Sequence, residues 1–335
     1  MTDLNELLKH TSRSLYLSAR LLPADVRKAF GIAYLLCRYA DTIADTSLIA
    51  AEKRLHYISL FPSCVAKQDI QLLNDITQEI SGTTTNIYEA ELLHNLPACL
   101  AVFAQLPNTQ KEIILQVVKA VCQGMAIDLK TFPDEKSGQV RAFDTEADLE
   151  NYCHLMGGAP GVFWSQLIAQ SVRLPLEENT FLQLGKDIGD ALQIVNILRD
   201  LPRDLRIGRC YFPQTDLQMH HLTAQDLLLP ENSARFAPIK QKWIAWGRNK
   251  LMSAHRYFAA LPKTQFTHRS AVAWPVLWAA DTLNKLEQEP NLLDPEVRVK
   301  ISRNRIYATM AATLPILISN QLFSKWLKSK FPDGK

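Results

Sequence analysis

The sequence predicts an all-α chain, and three observations carry the prediction. Apolar residues recur at helical spacing through most of the 335 residues, as in Ile113, Ile114, Val117, Val118, Val121 and Met125. Two separate stretches set polar residues at three- and four-residue steps within otherwise apolar surroundings, which is how a helix lines up one strip. Composition agrees: 47% of residues are hydrophobic and 21% charged, with 12 glycines and 17 prolines, which describes a foldable globular chain rather than a disordered one. The length suits one large helical domain over 1–335, and no linker or repeat divides it.

Residues 4–18 read as a short helix with a polar cluster, Thr11 to Ser14, near its end. A long helix follows from Val26 to about Thr46. Residues 50–60 and 66–80 suggest two helices parted at Phe61-Pro62, and SGTTTN at 81–86 reads as a surface turn. Glu89 to Phe103 is helical with a disruption expected at Pro97, and Lys111 to Leu129 is a strongly periodic helix. The stretch 131–150 turns polar, with Gly and Pro, and reads as a surface loop or as a flap over a site mouth spanning 131–147. Asp148 to Ala169 forms another helix, in which Gly157, Gly158 and Gly161 either admit close packing or leave room for a ligand tail. His154, two positions from Tyr152, is expected to face elsewhere. Residues 214–236 form a connector with a short helix, and 237–259 and 268–288 are helical again. Trp243, Trp246, Trp274 and Trp278 are expected in packing roles. The last stretch is amphipathic, is broken at Pro315, and fits either against the body or on a bilayer surface.

The chemistry concentrates in two places. In YLLCRYADTIAD, Tyr34, Arg38, Asp41 and Asp45 share one helix face. Carboxylates one turn apart repel, and a hard divalent cation that bridges to phosphate resolves the conflict. In GDALQIVNILRDLPRDLRIGRCYFP, Gln193, Asn196, Asp200 and Asp204 repeat the arrangement, followed by Arg203, Arg206 and Arg209. Either acidic pair alone is a common surface pattern. Two of them on apolar helices, each with arginine close by, describe a cavity for a metal-bound diphosphate, because the guanidinium fork suits phosphoryl oxygens.

With these residues in place, the chain resembles the squalene/phytoene synthase family of head-to-head isoprenyl diphosphate synthases. The resemblance runs through HTSRSLYLSARLLPADVRKAFGIAYLLCRYADTIADT, YCHLMGGAPG and ALQIVNILRD with GRCYFP, and it thins after residue 215. It implies an isoprenoid-synthase fold, a helical bundle around a central cavity. It also implies condensation of two farnesyl diphosphates (geranylgeranyl diphosphate being the alternative substrate) through a cyclopropyl intermediate. On these positions it places Mg²⁺ at Asp41, Asp45, Asp200 and Asp204. Arg38 and Arg209, assisted by Arg199, neutralise the leaving diphosphate; Arg13, Ser14, Tyr34, Gln193 and Asn196 complete the binding set. Tyr152 matches a tyrosine that faces the cationic intermediates. One departure stands out: relatives often carry an acid before the second aspartate, where this chain has Arg203 after Pro202, which reduces local negative charge and is expected to distort the helix.

The product is expected to be squalene, with NADPH as reductant. Phytoene or dehydrosqualene, without reduction, and hydroxysqualene are the alternatives, and a non-catalytic assembly factor is the alternative outside enzymology. A net charge of +3 gives no sign of nucleic-acid binding. The six cysteines are scattered without a CxxC and read as reduced core thiols. With no secretory signal in MTDLNELLKH and no uninterrupted apolar span, a cytoplasmic location is expected, with peripheral membrane contact open because substrate and product are oily. Monomer and homodimer both fit the sequence.

Overall fold

The computed structural model describes residues 6–8, 23–46, 49–81, 87–132 and 137–331. Arg13 and Ser14 therefore lie outside the described residues, as do most of the 4–18 helix and the turn at 82–86. The chain divides into two compact units, residues 1–130 with 166–171, and residues 131–165 with 172–335.

The first unit contains α1 (Ala24–Asp45), α2 (Ala51–Lys67), α3 (Ile70–Ser81), α4 (Ile87–Ala104) and nearly all of α5 (Asn108–Thr131). Helix α1 packs on α2 and α4, and α3 packs on the same two. Ile32, Leu35, Leu36, Tyr39 and Ile43 of α1 are buried, which leaves the strip of Tyr34, Arg38 and Asp41 as its partly open side. Tyr39 fixes the packing: its ring stacks on Phe61 at 5.2 Å, and its hydroxyl meets the Thr77 hydroxyl at 2.6 Å. The expected break at Phe61-Pro62 does not occur. Proline removes one amide donor, so the Ile58 carbonyl loses its helical partner, but Ile58 and Phe61 are both buried and α2 is continuous across the site. Pro97 is likewise carried inside α4, between the buried Leu96 and Cys99.

In the second unit, α8 (Glu178–Arg206) is the common support. Packed against it are α6 (Glu146–Cys153), a π-helical turn (His154–Gly158), β2 (Arg209–Pro213), α10 (Ser233–Leu251), α11 (Ala254–Ala260) and α12 (Phe266–Gln288). Helix α7 (Ala159–Ser171) continues from the π turn and passes from this unit into the other at residue 166. Completing the second unit are α9 (Gln214–Met219), α13 (Arg303–Ala312) and α14 (Asn320–Ser329).

Close backbone approach explains the glycines. A Cβ placed on Gly157 would lie 2.3 Å from the Gly189 carbonyl oxygen, and one on Gly161 would lie 2.2 Å from that of Gly185. Of the two roles open to them, close packing is the one the structure shows. The predicted helix at 148–169 is thus an α–π–α run. Its start is set by a capping box in which the Thr145 hydroxyl accepts from the Asp148 amide while the Asp148 carboxylate accepts from the Thr145 amide at 2.9 Å.

Within the polar stretch 131–150, the described residues from 137 on carry regular structure. Arg141–Phe143 forms β1, paired in parallel with β2, Arg141 opposite Arg209 and Ala142 opposite Cys210. Gln225 adds a second tie: its side-chain oxygen accepts from the Val140 amide at 3.1 Å and its nitrogen donates to the Gly138 carbonyl at 3.3 Å. Trp243 is buried, donating to Asp216 at 2.9 Å, and Trp274 donates to the Thr313 hydroxyl at 3.0 Å, so both are packing residues. All six cysteines are free thiols. Burial pushes those of Cys37, Cys99 and Cys210 up to about 12, far from a reactive thiolate.

Candidate active site

Each acidic pair sits at the carbonyl end of its helix. Asp45 is the last residue of α1, with Asp41 one turn earlier and no basic residue in the last turn. The C-terminal carbonyls carry partial negative charge, so two added carboxylates make this end attractive to a cation. Arg38 donates to Asp41 across a partly buried ion pair, the two side chains being 28% and 33% exposed. Arg54 of α2 donates to the Ala44 carbonyl at 2.7 Å and satisfies part of the helix end. Asp45 is exposed, while Tyr34 stands three turns back beside Phe30, ring centroids 6.5 Å apart.

The second pair takes the same place at a helix end in the other unit, but here Arg203 and Arg206 stand in the last turn. Helix α8 ends at Arg206, so Asp204 lies in its last turn and Asp200 one turn before. Arg199 grips Asp200 with two hydrogen bonds, Nε at 2.9 Å and Nη2 at 2.6 Å. Those bonds, with the added charges of Asp200 and Asp204, raise the Arg199 guanidinium above its ordinary value against the opposing effect of burial. Gln193 and Asn196 are half-buried on the same helix, between the fully buried Ile194, Val195 and Ile197.

Pro202, where a distortion is expected, lies inside α8, which is continuous from Glu178 to Arg206. It is buried between Leu201 and Leu205, and the helix runs on through Asp204. Arg203 is exposed and forms no ion pair with either aspartate among the described residues. The basic substitution beside Asp204 thus points its charge into solvent.

Beyond α8, Gly208 turns the chain with φ of 81° into β2, which carries Arg209 in a half-buried position. Tyr211 follows two residues later on β2, where the pairing with β1 becomes irregular. Its ring stacks on Tyr152 at 4.8 Å and their hydroxyls lie 3.4 Å apart. Phe143 of β1 and Phe132 close around them, at 5.6 Å and 5.1 Å from the Tyr211 ring. Tyr152 is 3% exposed and so belongs to an aromatic wall. Tyr211, Phe132 and Phe143 went unread as site residues. The only available signal was the two-residue spacing of Arg209 and Tyr211 in a strand, inside a chain read as helical. His154 does face away, toward the α8 packing seam at Gly158 and Asp190.

The donor set suits Mg²⁺ bound together with phosphate. This ion commonly takes one or two carboxylates and fills its remaining positions with water and phosphate oxygens. Among the described residues no cluster of three or more His, Cys, Asp or Glu forms an all-protein metal cage. Two carboxylates per helix end, each partly open and neighboured by arginine, match the shared mode better than a closed site.

A squalene/phytoene synthase family model matches residues 8–305. The squalene synthase of Schizosaccharomyces pombe is 24% identical over 300 residues, covering 88% of this chain and 61% of the relative. The presqualene diphosphate synthase of Zymomonas mobilis is 30% identical over 210 residues, covering 62% and 58%. The chain therefore spans about three-fifths of the length of these relatives. In structure, the TcSQS complex with the ligand BPH1237 superposes with a TM-score of 0.78 at 20% identity, over 99% of this chain and 92% of that one, which shows a shared isoprenoid-synthase fold. With the family model covering both acidic motifs, the Tyr152 segment and the strand that carries Arg209, the chain belongs to the squalene/phytoene synthase family.

Proposed function

We propose that this protein condenses two farnesyl diphosphates head to head to presqualene diphosphate and reduces that intermediate to squalene. The observation that carries the first half is the repeated helix end: an aspartate pair in the closing turns, with an arginine bound to the first aspartate of each pair. Asp41, Asp45, Asp200 and Asp204 would hold Mg²⁺, which supplies charge neutralisation to the departing diphosphate. Until ligands arrive, Arg38 and Arg199 neutralise Asp41 and Asp200. With those carboxylates engaged by metal, Arg38 and Arg199 would be able to present their guanidinium forks to phosphoryl oxygens, a bidentate match. Arg209, with Gln193 and Asn196, supplies further polar contacts to the same anion.

The carbon–oxygen bond of one substrate then breaks with its electron pair going to diphosphate. The 2,3-double bond of the second substrate attacks the allylic cation, and loss of one proton closes the cyclopropane. Fixed positive charge aimed at the leaving group is where electrostatic catalysis contributes most. The wall of Phe132, Phe143, Tyr152 and Tyr211 would exclude water and offer ring faces to the cation. Reduction, with NADPH as hydride source, is supported by the squalene synthase relative and has no residue set assigned to it in this chain.

The test is product analysis with purified protein, Mg²⁺ and either farnesyl or geranylgeranyl diphosphate, each with and without NADPH. Squalene formed only with NADPH is the expected result. Phytoene, dehydrosqualene or hydroxysqualene would keep the condensation and overturn the reduction. Absence of turnover under every condition would overturn the enzymatic reading in favour of an assembly role.

A further inference from the structure

Helix α8 buries a third carboxylate, nearly three turns before Asp200. Asp190 is 1% exposed, and its two oxygens have different surroundings. Oδ2 accepts from Lys186 at 2.8 Å and lies 3.4 Å from the Lys250 ammonium of α10. Lys250 also donates to Asp187, whose other oxygen accepts from Ser253 at 3.0 Å. Oδ1 of Asp190 has no hydrogen-bond partner, and neither has the buried Nδ1 of His154 on the π turn. A buried polar atom left unbonded is costly, so two of them side by side call for an explanation.

The two atoms converge on one point. A Cβ on Gly158 would collide with Asp190 Oδ1 and stand 2.7 Å from His154 Nδ1. Gly158 has no positive φ, so backbone conformation does not call for glycine there. Its missing methyl instead leaves room for the carboxylate and the imidazole together. Burial and the ammoniums of Lys186 and Lys250 hold His154 below its ordinary pKa, against the pull of Asp190. The other groups nearby are engaged: Glu150 of α6 accepts from Trp246 at 2.9 Å, and burial keeps Cys153 a thiol. A neutral imidazole carries one proton, and the partner of each ring nitrogen decides where it sits.

We propose that His154 is a positioning residue for the condensation: it carries its proton on Nδ1, donates it to Asp190 Oδ1, and so fixes the π turn in register on α8. Elsewhere this seam sets backbone against backbone, Gly157 on Gly189 and Gly161 on Gly185. Such contacts fix spacing better than register. On one side of the seam the chain leads back to Tyr152 of the aromatic wall, and on the other it leads on to Asn196, Asp200 and Asp204. A slip would shift the wall that shields the cation relative to the carboxylates that hold the leaving group. Lost alignment of this kind falls on kcat rather than on KM. The catalytic consequence rests on the function proposed above, whereas the tautomer does not.

Nitrogen-15 NMR of the full chain labelled at its eight histidines reads the tautomer, because protonated and bare ring nitrogens differ widely in shift. The signal lost in a His154 variant assigns the residue. Near pH 7 an Nδ1–H imidazole is expected, whereas a free histidine side chain favours Nε2–H. Turnover of farnesyl diphosphate is measured alongside. His154→Asn sets an amide donor where Nδ1 stood and should keep kcat within about twofold of the parent. His154→Gln sets the donor at the Nε2 position and His154→Phe only fills volume, so both should lower kcat on the order of tenfold with KM nearly unchanged. An Nε2–H tautomer in the parent, or a kcat for His154→Phe equal to or above that of His154→Asn, would overturn the proposal. Absence of turnover by the parent would overturn the enzymatic reading and the positioning role with it, while an Nδ1–H signal would still establish the contact with Asp190.

Discussion

Replacing Gly189 by alanine tests the packing seam that supports the second acidic pair. The added methyl carbon would stand 2.1 Å from the Gly157 carbonyl oxygen, 2.7 Å from its carbon and 3.0 Å from the Gly158 Cα. All three are backbone atoms, so no side chain can rotate aside, and the π turn must move away from α8. Overpacking of this kind costs about 3 kcal/mol, the upper part of its usual range. Alanine recovers about 1 kcal/mol over glycine within a helix, which leaves a net loss of about 2 kcal/mol. With an unfolding entropy of about 2.1 cal/mol/K per residue, the midpoint should fall by roughly 3 °C. Gly31→Ala supplies the opposite sign, because among the described residues its methyl would meet only the Leu8 side chain, at 3.4 Å. There the helix preference dominates, and the midpoint should rise by about 1 °C. Thermal unfolding followed by circular dichroism reads both variants. A midpoint for Gly189→Ala equal to or above the parent's would refute the claim that backbone contact sets this seam.

Asp41→Asn and Asp200→Asn should each lower turnover of farnesyl diphosphate by about 10²–10³, the usual effect of removing one electrostatic contributor. Each should alter stability by less than about 1 kcal/mol, since the ion pairs lost are part-exposed; parental activity in either variant would remove that aspartate from the proposed site. A pH effect is expected at Asp281. Burial alone would raise this carboxyl, but hydrogen bonds from Arg305 and Lys330 outweigh it and hold it below its ordinary value. Its contribution is therefore complete above the unfolded carboxyl's pKa of about 3.9 and is lost as pH falls through the lower folded value. Asp281→Asn should lower the melting midpoint at pH 7 and lower it progressively less as the pH drops below about 4, and a pH-independent difference would count against the assignment.

What was legible in the sequence follows from local periodicity. The strips through Tyr34, Arg38, Asp41 and Asp45, and through Gln193, Asn196, Asp200 and Asp204, need only 3.6 residues per turn to share a face, and both lie on the expected helices. The arginines were legible too, since Arg38 stands three residues before Asp41 and Arg199 directly before Asp200. Family membership rested on those same motifs and holds over residues 8–305.

Tertiary structure decided whatever depends on a partner distant in the chain. Pro62, Pro97 and Pro202 look like helix breaks, yet each stays inside a helix because buried neighbours on both sides outweigh one missing hydrogen bond. Strand β1 is three residues long, too short for its own pattern to be read, and exists because Arg209–Pro213 runs beside it. Tyr152 could be named from its motif, but its stacking partner Tyr211 comes 59 positions later and is set by that strand pairing. Gly157 and Gly161 could be read as small. Only their contact with Gly189 and Gly185 gives the reason, which is that two backbones meet where a Cβ would not fit. Local periodicity determined which residues share a face, and long-range packing determined what each face touches.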